Sequence, residues 1–111
     1  MNKEKTVYQT ITIGSRTAPT VEIDSQAKSA YVRFSRKPVF RTKSVDKSGI
    51  IIAIDFDKEN EVIGVELVGV SDFSVKTLLN FTPVIAPKIR DWDRTRYVSA
   101  GYKERSSLQH A

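Results

Sequence analysis

The sequence lacks cysteine, has a single histidine and contains no long apolar run in its 111 residues. The missing cysteines exclude disulfides, thiolate metal sites and cysteine nucleophiles. The longest apolar run, residues 50–54, is far shorter than the roughly 20 residues that cross a bilayer. No apolar stretch follows the basic N-terminal residues, as it would in an export signal. We therefore expect a cytoplasmic protein with no membrane partner.

Recognisable catalytic motifs are missing as well. His110 is the only histidine and lies beside the C-terminal residue, where we expect a poorly ordered tail that would not hold a general base in place. The chain has neither a phosphate-binding glycine loop nor a nucleophile elbow. We expect no enzymatic activity, no cofactor and no catalytic residue.

The composition that remains is that of an ordinary globular protein, with 40% hydrophobic and 28% charged residues. The length points to one domain. The net charge of +5 is uneven: residues 20–85 are neutral, with nine basic and nine acidic side chains, and the excess lies at both ends. We divide the chain into an N-terminal strand and linker (1–19), a core domain (20–85) and a basic C-terminal extension that we expect to be partly disordered (86–111).

Alternating apolar residues predict strands at 7–13, 21–24, 29–35, 40–45, 50–56 and 62–68. Residues 50–56 are apolar on both faces, which predicts a central strand covered on each side. Short loops join successive strands, so residues 20–68 are predicted to form an antiparallel meander. A stripe of Val75, Leu78 and Leu79 predicts a helix over 74–81, capped by Asp72 or Ser74. The predicted fold class is α+β, an antiparallel β-meander of four to five strands with one helix packed on one face.

Two segments carry a resemblance to a known family. Residues 23–34 read IDSQAKSAYVRF, and residues 54–57 read IDFD, followed by IGVEL at 63–67. Over residues 21–72 the chain resembles domain of unknown function family 2283, which consists of small bacterial proteins. The sequence departs from the family at Lys28, where an acid is usual, and at residues 58–61, which replace an Asp-Gly turn. The resemblance rests mainly on Asp24, Ala27, Tyr31, Arg33, Asp57, Ile63, Gly64 and Glu66.

The resemblance implies a fold rather than an activity, because the family has no established one. Members tend to occur in compact loci, some of them beside toxin-like genes. What the resemblance implies about function is therefore a partner-binding or antitoxin-like role.

One acidic stretch approaches the spacing of a calcium loop. Asp55, Asp57 and Glu59 alternate, and Glu66 follows at the distance of the last ligand. Asn60 stands where the sharp bend of such a loop needs glycine, and the flanking segments are predicted strands rather than helices. A polar hairpin loop is the favoured interpretation, and we predict no metal site.

A basic cluster without any acidic residue occupies residues 33–43. If this segment is a hairpin, Arg33, Arg41 and Lys43 share one face and Arg36 and Lys37 lie at its tip. Such a surface could bind nucleic-acid phosphates. The favoured alternative is a solvated hairpin whose charges keep an edge strand from aggregating.

The C-terminal extension mixes aromatic and basic residues. Arg90, Trp92, Arg94 and Arg96 could stack on bases, dock into a protein groove or anchor the segment on its own core. The leading hypothesis is a non-catalytic interaction module that binds a protein partner or forms a homo-oligomer. The alternative is a nucleic-acid-binding protein that uses residues 33–43 and the basic tail.

Overall fold

A computed structural model describes residues 9–99 of the chain. In this part the chain forms eight strands, one α-helix and one 3-10 helix. The elements are β1 (Ile11–Thr12), β2 (Thr20–Asp24), β3 (Ser29–Arg33), β4 (Arg41–Lys47), β5 (Ile50–Phe56), β6 (Val62–Val68), α1 (Val75–Asn80), β7 (Val84–Ile85), the 3-10 helix (Trp92–Arg94) and β8 (Arg96–Ser99).

Six strands form one sheet in the order β4-β5-β6-β3-β2-β8, and β1 pairs with β7 in a separate parallel pair. The predicted meander is correct for β4, β5 and β6 and for the β2–β3 hairpin. It is wrong at the step from β3 to β4, because β3 pairs with β6 and β4 pairs with β5 alone. The fold is therefore β-rich with one short helix, and the sheet has more strands than predicted.

Residues 34–40, here called the strap, connect β3 to β4 across the end of the β5–β6 hairpin. The N–H groups of Phe34 and Ser35 both donate to the carbonyl oxygen of Ile63, at 2.9 and 3.1 Å. The N–H of Phe40 donates to the carbonyl oxygen of Phe56 at 2.7 Å. Residues 33–43 are thus a crossover and not a hairpin, because proline and the residues around it lead the chain past two strands before it pairs again.

The β5–β6 pair contains a bulge at the end where the strap crosses. Asp55 pairs with Gly64 and Phe56 pairs with Val62, so Ile63 is the extra residue. A bulge of this kind bends its strand and increases the local twist. It turns the carbonyl of Ile63 toward the strap, where it accepts both hydrogen bonds.

The core lies on one face of the sheet only. Ile52 and Ile54 of β5 are fully buried beside Val65 and Leu67 of β6. The prediction that residues 50–56 are covered on both sides is wrong, since Ile51 is 51% exposed on the opposite face. The second face, called the open face below, carries a mixture of polar and small apolar side chains along all the central strands.

The helix lies where the sequence predicts it, and Val75 and Leu78 are its buried residues. Ser74 is the N-cap, and its hydroxyl accepts from the N–H of Thr77. Asp72 in turn accepts from the N–H of Ser74 at 3.0 Å, which holds the pKa of the Asp72 carboxyl below its ordinary value. Both residues named as candidate caps therefore fix the start of α1.

Several turns between strands contain residues with left-handed backbone conformation. Ser48 and Gly49 both have positive φ, which matches a two-residue turn of the primed type between β4 and β5. Strand β4 consequently extends to Lys47, beyond the predicted end at residue 45. Asn60, in the β5–β6 loop, has φ of +68°, a conformation that asparagine adopts more readily than most residues other than glycine. Lys28, also left-handed, occupies the β2–β3 turn.

Strand β8 joins the sheet through parallel pairing with β2, although sequence periodicity after residue 87 predicts no strand. The N-terminal strand expected at 7–13 is observed as β1 within the described part, and its first residues lie outside it. The expected disorder of the C-terminal tail concerns residues 100–111, which also lie outside the described residues. No helix of the described residues is long and apolar enough to cross a membrane.

Candidate functional site

The main sheet has two edge strands, β4 and β8, and β4 is the longer of them. β4 has seven residues and is hydrogen-bonded to β5 on one side only. Six of its residues are exposed, and only Val45 is partly covered by the core. A strand edge of this length presents unpaired backbone donors and acceptors to any extended chain that approaches it.

Basic side chains follow this edge. Arg41 lies over the ring of Phe56 at 4.0 Å and donates to the side-chain oxygen of Asn60, so its guanidinium is held in place. Lys43 pairs with buried Ile54 and therefore points to the core side of the sheet, at its exposed margin. Lys47 ends the strand. The segment 39–47 is called the β4 edge below.

Two large apolar side chains precede the strand and are open to solvent. Val39 is 53% exposed and Phe40 is 66% exposed. They border a concavity of about 310 Å³ whose other walls come from the strap and the β5–β6 loop. Exposed apolar groups beside an unpaired strand edge are typical of protein-binding surfaces.

Asp57 connects the strap to the β5–β6 loop. Its side chain is buried, and Oδ1 accepts from the N–H groups of Glu59 and Glu61, both at 2.9 Å. The N–H of Glu61 is the main reason why the pKa of Asp57 lies below its ordinary value. The other oxygen, Oδ2, accepts no hydrogen bond from the described residues and lies 3.7 Å from Nζ of Lys37. Lys37 thus fastens the strap to a carboxylate that is already ordered by the loop.

Arg33 does not join the other basic residues. It lies on the open face, where it binds Glu22 with two hydrogen bonds of 2.6 and 3.1 Å, and β6 and β5 separate it from β4. The hydrogen bonds to Glu22 raise the pKa of Arg33 further above its already high value. The prediction that Arg33 shares a face with Arg41 and Lys43 is therefore wrong.

A hydrogen-bonded network surrounds Gly64 on the open face. The ring of Tyr31 crosses diagonally over Gly64, and its hydroxyl donates to Oδ2 of Asp55 at 2.8 Å. Thr42 of β4 donates to Oδ1 of the same carboxylate at 2.6 Å. Burial raises the pKa of the Tyr31 phenol, and the hydrogen bond to Asp55 raises it further. The phenol is therefore a hydrogen-bond donor at neutral pH and does not act as a base.

The carboxylates of the calcium-like stretch do not converge. Asp55 faces the open side of the sheet, whereas Asp57 turns back into the hairpin loop. In residues 9–99 no group of three or more acidic or histidine side chains is placed to hold a metal ion. The chain leaves β5 after Phe56, so Asp57 lies in the loop and accepts from its backbone N–H groups. A calcium loop needs its carboxylates to converge on one point instead.

The remaining predicted residues lie far from the β4 edge. Arg90 is exposed in the segment before the 3-10 helix, Trp92 is half-buried against the core, and Arg94 and Arg96 are exposed. β8, which begins at Arg96, forms the sheet edge opposite β4. At about 4.8 Å per strand, the two edges are separated by more than 20 Å. The structure therefore places Lys37 and Arg41 beside the β5–β6 loop, Arg36 in the strap and Lys43 on β4, and it separates all four from the basic C-terminal group.

Sequence reasoning missed Asp57 and Gly64 as structural residues, although both belong to the pattern on which the family resemblance rests. The structure explains most of that pattern. Asp24 accepts from the N–H of Ala27 in the β2–β3 turn, and the carbonyl oxygen of Ile63 accepts the two hydrogen bonds from the strap. Glu66 is exposed, and its side chain forms no hydrogen bond or ion pair with a described residue.

Comparison with known families gives one match. Residues 20–71 match the family described as protein of unknown function (DUF2283), over nearly the same segment that the sequence motifs predict. Neither the comparison with curated proteins nor that with solved structures gives a match. The hairpin of β2 and β3, the strap and the β4–β5–β6 meander together make up the matched segment, so residues 20–71 are similar to a family whose function is unknown.

Proposed function

We propose that this protein is a non-catalytic interaction module that binds an extended, acidic segment of a partner protein along the β4 edge. The observation that supports it is a seven-residue strand, preceded by exposed Phe40, whose outer edge pairs with no strand in residues 9–99. An antitoxin-like role, in which the bound segment belongs to a toxin, is one form of this proposal.

The backbone of β4 supplies the affinity in this proposal. A peptide that adds a strand to a sheet edge gains main-chain hydrogen bonds whatever its sequence. Side chains that point alternately to the two faces then supply specificity. At the start of the strand, exposed Phe40 and the concavity beside it offer a place for an apolar anchor of the partner.

The positive charge along the β4 edge determines which kind of partner segment binds there. Arg41, Lys43 and Lys47 lie on β4 against the single acidic residue Asp46, and Arg36 lies in the strap nearby. Positive potential along an edge attracts acidic chains and repels basic ones. The favoured partner therefore alternates acidic and apolar residues.

Selection from a random peptide library on the immobilised protein tests the proposal. We expect enrichment of sequences that alternate acidic and apolar residues. Phe40→Ser should weaken binding of an enriched peptide by about 5- to 30-fold, the size of a moderate hot spot. Lys43→Glu should weaken it by a smaller factor. The matched controls are Ile51→Thr, at an exposed apolar residue of the open face, and Lys88→Glu, at an exposed lysine remote from β4.

Other results would replace the proposal. Absence of enrichment, or binding that is equally strong in Phe40→Ser and Lys43→Glu, would contradict it. A dimer in light scattering that Phe40→Ser abolishes would make a second copy of the chain the partner. Retention of oligonucleotides at low salt that Lys43→Glu weakens, without peptide enrichment, would favour the nucleic-acid alternative.

A further inference from the structure

We propose a second binding site, for a small carboxylate with an apolar body, between α1, β7 and the 3-10 helix. It is separate from the β4 edge and does not rest on the function proposed above. A cavity of about 430 Å³ opens there. This volume lies within the range that holds small ligands in proteins.

One wall of the cavity is apolar. Leu79 and Trp92 are half-buried and pack against the core, while buried Val84 forms part of the floor. The half-buried indole offers a flat surface on which an aromatic or aliphatic body can pack. The cavity therefore favours ligands whose larger part is apolar.

The part of the lining that α1 contributes also carries hydrogen-bond donors that are not used within the described part of the chain. Lys76 and Asn80 lie four residues apart on α1 and so share the helix face that Leu79 also borders. Lys76 forms no ion pair with a described carboxylate, and no acidic residue lines the cavity.

The third polar residue, Thr82, is already engaged, since its hydroxyl donates to the carbonyl oxygen of Leu79 and accepts from the N–H of Val84. The groups left to bind a ligand are therefore an ammonium and an amide that can donate. Both suit the oxygens of a carboxylate, whereas an amine would meet a like charge. The site thus selects an anion by its head group and an apolar body by its wall.

Trp92 is the only tryptophan of the protein, so its emission reports directly on this cavity. The test titrates the full chain with hydrocinnamate and, separately, with phenylpropylamine, which has a similar apolar body and the opposite charge. We expect saturable changes in emission with both, and about two- to fivefold tighter binding of hydrocinnamate, as an exposed ammonium permits. Lys76→Gln should abolish this preference, and Lys88→Gln should preserve it.

Backbone amide shifts locate the binding independently of fluorescence. With hydrocinnamate they should concentrate in residues 76–92. A non-saturable emission change, equal binding of the two probes, a preference that survives in Lys76→Gln, or shifts centred elsewhere would overturn the proposal. Because Lys76 is exposed, its substitution should leave the fold intact, which a circular dichroism spectrum of the variant checks.

Discussion

At position 64 the absence of a side chain leaves space for the ring of Tyr31. A β-carbon added to Gly64 would lie 2.0 Å from the Tyr31 hydroxyl oxygen, well inside contact distance. The backbone at Gly64 does not have a positive φ, so the constraint comes from the neighbouring strand and not from the conformation of Gly64 itself. An aromatic ring from a neighbouring strand that covers a glycine also supplies packing contacts that the glycine, without a side chain, cannot make.

We therefore expect Gly64→Ala to lower the free energy of unfolding by about 1–3 kcal/mol, the usual cost of overpacking. The same substitution in a Tyr31→Ala background should cost much less, because the clash is then gone. Urea unfolding of the four proteins in the cycle measures the coupling. Gly14→Ala is the control, since a β-carbon there has no neighbour within 4 Å. Equal costs at Gly64 with and without the Tyr31 ring would contradict this account.

Asp57 should make stability depend on pH. Its pKa in the folded protein lies below the ordinary value, chiefly because the N–H of Glu61 donates to its carboxylate. The unfolded chain binds the proton more tightly, so the ionised form favours the fold. The stabilisation is complete above the unfolded pKa of about 3.9 and is lost as the pH falls through the lower, folded value.

The test compares the free energy of unfolding of the wild type and Asp57→Asn across pH. We expect the variant to be less stable at neutral pH, by an amount that is constant above about pH 5 and shrinks below about pH 4. Taking the difference between the two proteins removes the similar contribution of Asp72, which both retain. A difference that does not change with pH would mean that Asp57 acts through its shape and not its charge.

Among the elements, the strap is held by backbone hydrogen bonds at its two ends and by the ion pair of Lys37 with Asp57 between them. Lys37 is exposed and its ion pair with Asp57 is long, so its contribution to global stability should be below about 1 kcal/mol. Local opening of the strap is more sensitive, because few other groups hold it. The backbone bonds of Ser35 and Phe40 lie at its two ends.

We expect Lys37→Met to speed hydrogen exchange of the Ser35 and Phe40 amides while the amides of β5 and β6 keep their protection. The matched control is Arg36→Met, at an adjacent exposed residue whose side chain forms no ion pair with a described residue. Exchange that is unchanged in Lys37→Met, or equally fast in both variants, would mean that the backbone bonds alone hold the strap.

How far the elements could be predicted depends on the range of the interactions that form them. The strands and α1 follow from local alternation and capping, so their places are close to those expected. Pairing of β3 with β6 and of β8 with β2 joins residues distant in sequence, and no local pattern encodes it. Ile51 misled the prediction for β5, because an exposed isoleucine on a half-open sheet has the same sequence pattern as a buried one.

Prediction of the candidate site is limited in the same way, because the site depends on pairing between strands that are distant in sequence. The basic residues of β4 are evident in the sequence, but the face on which each one lies follows from strand order. Arg33 is close to them in sequence, but two strands separate it from them in the sheet. Asp57 is recognisable only through the family pattern, because its role depends on the strap that crosses the hairpin loop.

At the scale of the whole molecule, one core serves both the matched segment 20–71 and the residues that follow it. Val75, Leu78, Val84 and Ile89 belong to the same buried cluster as the strands of the main sheet, and Trp92 packs against that cluster. β8 is hydrogen-bonded to β2, and the N–H of Val75 donates to the hydroxyl of Tyr97. Residues 86–99 are therefore built into the domain, whatever the arrangement of the residues beyond them.

Segments that share one core unfold together, so we expect a single transition. Denaturant unfolding followed by Trp92 emission should have the same midpoint and slope as unfolding followed by far-ultraviolet circular dichroism, which reports mainly on the sheet. Ile89→Ala is the informative variant, because Ile89 is buried in the segment outside the family match. It should shift both transitions together by about 2–5 kcal/mol. If it moved only the Trp92 transition, residues 86–99 would form an appendage that docks on an independently stable unit built from the preceding residues.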